Sequence, residues 1–108
     1  MTLTRDYKIT VMERTQRDPA FARAMLDEAA NLFLTGEPDV ARLVLRDLVN
    51  ATLGFEALAV EIGKPAKSLH RMLSAKGNPT MDNLAAILAA VSHKLGVSIQ
   101  VQTVEAAE

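Results

Sequence analysis

The chain contains no cysteine, so neither a disulfide framework nor a thiolate metal site is open to it. Long apolar runs are missing as well. None approaches the ~20 residues that a helix needs to cross a bilayer. No stretch is rich in Pro, Gly or Ser, and there is neither a low-complexity segment nor an internal repeat, which leaves no linker to divide the chain. The opening Met1-Thr2-Leu3-Thr4-Arg5-Asp6 goes straight into charged sequence, without the apolar stretch of a signal peptide. A cytoplasmic protein with no membrane partner is expected.

Catalytic signatures are equally scarce. His70 and His93 are the only histidines, and neither has a carboxylate at ligand spacing, so no metal is expected. A Gly-rich phosphate loop and a Gly-x-Ser-x-Gly elbow are both missing. Asp27 and Glu28 occupy adjacent helical positions and diverge, which does not suit paired acid–base work. The expectation is a protein that is not an enzyme and carries no cofactor.

What remains is a chain of 108 residues, 49% hydrophobic, enough for one domain with a real core. Helix signals dominate it. Residues 5–16 place Tyr7, Ile9, Val11 and Met12 in a short helix. Asp18-Pro19 reads as an N-cap followed by proline at the first helical position, where its missing N–H is harmless. Phe21, Met25, Leu26, Ala29, Leu32 and Phe33 follow at helical spacing, and Gly36 stops the helix. Glu37-Pro38-Asp39 opens the next, which buries Val40, Leu43, Val44, Leu45, Leu48, Val49 and Leu53 and ends at Gly54. Two short helices are expected over 55–62 and from Pro65 to Leu73 or Ser74. Thr80 caps a last helix with Met81, Leu84, Ile87, Leu88, Val91 and Leu95 on one face, ended by Gly96. Residues 97–104 then alternate apolar and polar, which predicts a half-buried strand. A lone strand needs a partner edge, which points to pairing across a homodimer.

The net charge of −1 hides a local imbalance. Lys64, Lys67, Arg71 and Lys76, with His70, lie between residues 64 and 78, a stretch without a single acid. Such a segment binds phosphate, or is merely the solvated side of a helix. The frame around it decides in favour of the first. Ala59 is small where a second helix would cross, and Gly63 tolerates left-handed angles in the turn. Leu58 and Ile62 bury one helix, and Leu69 and Met72 the other. That is the layout of two short helices at a steep angle, the outer face of the second left free.

The run Phe55-Glu-Ala-Leu-Ala-Val-Glu-Ile-Gly-Lys-Pro-Ala-Lys-Ser-Leu-His-Arg-Met-Leu-Ser74 resembles the helix-turn-helix of the phage-repressor (XRE, Cro-like) family. With Gly77-Asn-Pro-Thr80 and Leu95-Gly-Val-Ser-Ile-Gln-Val101, it is similar to the addiction-module antidote (HigA-like antitoxin) branch. The resemblance covers about residues 40–101. It implies a sequence-specific DNA-binding regulator, a repressor that could be the autorepressing antitoxin of a toxin–antitoxin module, with double-stranded DNA and a toxin protein as partners. It places Ala66, Lys67, His70 and Arg71 on the outward face of the second helix, with Pro65 at its start. Arg71 is suited to a guanine edge, and Lys64, Lys67, Ser68 and Lys76 to phosphates. Asn78 would reach the backbone from the loop. The chain departs from the family pattern in two places. Phe55-Glu56 stands where a glutamine is usual, and Lys64-Pro65 replaces a capping Ser or Thr.

The expected fold class is therefore all-α: a five- to six-helix bundle containing a lambda-repressor-like helix-turn-helix, with a short C-terminal β-strand that pairs in a dimer. Residues 1–36 are expected to form a helical extension, 37–96 the DNA-binding domain and 97–108 the strand and tail. The competing expectation is a protein-interaction module in which the helical hairpin of residues 18–53 binds a partner, with little DNA specificity of its own.

Overall fold

In a computed structural model of the chain, Glu13 and residues 18–107 are described; the helix expected over 5–16 lies outside them. Among residues 18–107 there are five helices and no β-strand. These are α1 (Pro19–Leu34), α2 (Pro38–Ala51), α3 (Gly54–Ile62), α4 (Ala66–Met72) and α5 (Met81–Leu95). None is long and apolar enough to cross a membrane.

Each boundary has a local cause. The Asp18 carboxylate accepts the Ala20 N–H at 3.1 Å, and Pro19 opens α1. The connection through Thr35, Gly36 and Glu37 is so short that α2 folds back along α1. At the far end α2 stops at Ala51, earlier than the expected Gly54. The Thr52 hydroxyl donates to the Leu48 carbonyl at 2.7 Å, and Gly54, at φ +82°, redirects the chain into α3. Thr80 Oγ1 accepts the Asn83 N–H at 3.1 Å to start α5. Gly96, in the left-handed region, ends it.

All five helices feed one core. Ala22, Leu26 and Ala29 of α1 pack with Leu45, Leu48 and Val49 of α2, Phe55 and Leu58 of α3, Leu69 of α4 with the following Leu73, and Ile87, Ala90 and Val91 of α5. Among the described residues, α1 thus contributes to the same core as the four helices that follow it. Several expected core positions lie outside it. Val40 and Leu43 are 45% and 40% exposed, because the buried stripe of α2 runs through Ala41, Leu45 and Leu48 and leaves them round its back. Met81, 78% exposed, precedes the first core turn of α5.

Residues 97–107 also differ from expectation. They are extended but form no ladder. Val97 and Ile99 pack on the core while Ser98 and Gln100 face outward, so the alternation is real. The hydrogen-bonded partner that would make it a strand is missing among the described residues.

The stripe on α2 sets up a direct comparison. Leu45→Ala should cost about 2–5 kcal/mol, the usual loss for a leucine removed from a closed core. Leu43→Ala should stay within about 0.5 kcal/mol. Urea unfolding of the two variants tests the assignment, and equal losses would refute it.

Candidate nucleic-acid interface

The chain leaves α3 through Gly63, whose φ of +69° and ψ of +36° lie in the left-handed region. There a side chain costs about 1–2 kcal/mol. The Gly63 and Lys64 N–H groups both donate to the Ala59 carbonyl, at 2.9 and 3.2 Å. Pro65 follows at φ −63° and ψ 140° and opens α4 without a side-chain cap. The Leu69 N–H takes up the Pro65 carbonyl at 3.2 Å, so the first turn closes on backbone alone.

Two leucines fix the roll of α4. Leu69 and Leu73 are fully buried, one turn apart, while Met72 is only half-buried. The anchoring pair is therefore Leu69 and Leu73, not Leu69 and Met72, since a spacing of four keeps both on one side of the helix. With that side inward, Lys67, His70 and Arg71 are exposed and Ser68 is half-buried. Ala66 is not on the outward face: it is half-buried and packs against the core. Lys64 and Pro65 lie exposed in the turn before the helix.

His70 is exposed but engaged. Its ring stacks on Phe55, with centroids 3.9 Å apart and planes 21° from parallel. The aromatic residue that departs from the family pattern thus has a partner on the neighbouring helix.

The exit from α4 is held by a residue far away in sequence. Arg42 of α2 donates from Nε to the Ser74 carbonyl at 3.1 Å and from Nη2 to the Ala75 carbonyl at 2.9 Å. The Ser74 hydroxyl donates to the Arg71 carbonyl at 2.8 Å, and the Gly77 N–H to the Ser74 carbonyl at 3.0 Å. A Cβ on Gly77 would lie 2.6 Å from the Arg71 carbonyl oxygen and closer still to that of Met72. Glycine is required there by lack of room and not by its φ.

This tight exit forms one wall of an open hollow of about 390 Å³, which brings together Ser68, Arg71, Lys76, Asn78 and Asn83. Four of the nine residues singled out from the sequence therefore meet in one place: Ser68, Arg71, Lys76 and Asn78. Lys64, Pro65 and Lys67 flank the other end of α4. Arg42 and Asn83 were not foreseen. Arg42 acts across 32 residues, beyond any local pattern, and Asn83 lay hidden in the first turn of a helix read only for its apolar face.

Within the turn, α4 and the loop beyond it, every charge is of one sign. No acid occurs from Ile62 to Met81. Glu61, at the end of α3, approaches Nδ1 of His93 on α5 to 3.9 Å. No group of three potential metal ligands exists among the described residues. Compared with known proteins, the chain matches no family model, no curated protein and no solved structure.

Replacing Arg42 with Met keeps the aliphatic stem and removes both hydrogen bonds. Because one of them is solvent-exposed, the expected loss of stability is modest, about 1 kcal/mol. Amide exchange should quicken selectively at 74–77. Unchanged exchange there would mean that the guanidinium does not hold the loop.

Proposed function

We propose that the chain is a sequence-specific DNA-binding regulator, with α3, the Gly63 turn and α4 acting as a helix-turn-helix. The observation that carries this reading is the outward face of α4. It is cationic and free of acids, on a helix whose opposite face is pinned by Leu69 and Leu73. A reader of the major groove needs a rigid helix with long donors pointing away from the core.

In this reading Arg71 hydrogen-bonds a guanine edge through its planar fork. Lys64, Lys67 and Lys76 hold phosphates, with Ser68 and Asn78 as neutral donors, and fix the register of the protein on the duplex. Pro65 shapes the entry to α4. His70 stiffens the unit through Phe55 and presents its free ring edge to the groove. A role as a repressor, and as the antitoxin of a toxin–antitoxin module, is carried by the resemblance of Ser68-Leu69-His70-Arg71 and Gly77-Asn78-Pro79-Thr80 alone.

The partner-binding reading has its own support. Leu34, Val40 and Leu43 on the α1–α2 hairpin are 66%, 45% and 40% exposed, and a toxin is the partner that the resemblance suggests. The two readings are compatible, since they use different surfaces.

Binding of labelled duplex from the region upstream of the chain's own gene, against scrambled duplex, tests the DNA reading. Arg71→Ala should weaken the specific duplex by roughly 10- to 100-fold, the worth of a bidentate base contact, and leave the scrambled one nearly unchanged. Lys67→Ala should weaken both alike and lower the salt slope by about one. Equal weak binding of the parent protein to both duplexes would sink the proposal.

A further inference from the structure

Residues 97–107 leave the core as an extended segment with free backbone. The Val97 N–H donates to the Ser92 carbonyl at 3.0 Å. Beyond it, residues 98–107 make no backbone hydrogen bond among the described residues. Val101, with the same parity as Val97 and Ile99, is 68% exposed. Together with Leu34, 66% exposed, it borders an open hollow of about 420 Å³ between the segment and the C-terminal half of α1. An unpaired, partly apolar edge of this length is a template for another strand.

We infer that the occupant is the same segment of a second copy, paired antiparallel about Gln100. The segment is self-complementary in two respects. From Val97 to Val104 it carries no charge, so twofold pairing sets no like charges against each other, whereas Glu105 lies just past it. Its alternation also restricts the register. Opposed residues in a ladder share a face, so the offset must match odd positions with odd ones.

Centring on Gln100 sets Ile99 against the second copy's Val101, Val97 against Thr103, and Ser98 against Gln102. Every apolar side chain of the inner face then meets an apolar one or a threonine methyl. Shifting by one residue at the axis would oppose Ile99 to Gln102 and lose this match. Centring on Val101 would pair Val97 with Glu105, and centring on Ile99 would end the ladder at Val101, because Leu95 and Gly96 belong to α5 and its cap. A C2 contact of this kind repeats each interaction twice. The inference is independent of DNA binding.

The absence of native cysteine makes the register directly testable. In the proposed ladder the two Gln100 Cα atoms are about 4.5–5.5 Å apart, within disulfide reach. The two Ser98 Cα atoms are about 14 Å apart, outside it. Gln100→Cys should therefore oxidise to a covalent dimer, while Ser98→Cys and Gln102→Cys remain monomeric on denaturing gels. By sedimentation the parent chain should be a dimer. Val101→Lys, folded by circular dichroism, should weaken it roughly a hundredfold, as two symmetry-related contacts are lost at about tenfold each.

A monomeric parent chain would overturn the proposal, as when the edge is occupied from within the same chain. So would a dimer insensitive to Val101→Lys and uncrosslinked at Gln100, which would place the interface elsewhere. Equal crosslinking at positions 98 and 100 would reduce the contact to random collision.

Discussion

The orientation of α4 depends on two side chains. Leu69 and Leu73 are both closed off from solvent, and they are the fully buried anchors of a helix that spans just Ala66–Met72 and is capped by Leu73. A helix this short does not persist in water on its own propensity. Its existence and its roll about its axis therefore come from burial of these two leucines in the core they share with Leu58 and Ile87. Everything said about the outward residues follows from that anchoring, because Lys67 and Arg71 point outward only while Leu69 and Leu73 point in. The Phe55–His70 stack in the last turn of α4 and the Arg42 fork just beyond it act on the C-terminal end of the same helix and restrict how far it can rock.

Charge is arranged to match. The net charge of −1 carries no hint of a polyanion partner, yet acids are missing over the whole stretch that forms the turn, α4 and the loop beyond. Proteins that bind phosphate through one face need only a local excess of cations, since screening limits the reach of distant charges to about 8–10 Å at ordinary salt. Acids on α1 and α2 keep the average near neutrality.

Much of this was legible in the sequence, for reasons that are local. Asp18-Pro19, Gly63, Thr80 and Gly96 sit where caps and left-handed turns need them, and the backbone adopts those conformations at each. The cationic stretch, and with it Ser68, Arg71, Lys76 and Asn78 of the hollow, could likewise be read in order along the chain. What escaped is non-local. Arg42 reaches carbonyls that no pattern in α2 announces, and the burial of Leu73 beyond Met72 depends on which side of α4 the core lies. Val40, Leu43 and Met81 are apolar at plausible spacing, but the core stops short of them. The C-terminal alternation was visible and the ladder was not, because a ladder belongs to two segments and only one is on this side of it.

The stack of His70 on Phe55 has a spectroscopic consequence. Protons on the imidazole carbons lie over the face of a phenyl ring and inside its shielding cone, so their resonances are displaced upfield from those of a free histidine. His93, the only other histidine, sits on α5 and supplies an internal reference free of that contact. The separation between the two sets of signals measures how closely α4 is docked on α3, in the free protein and with any ligand added.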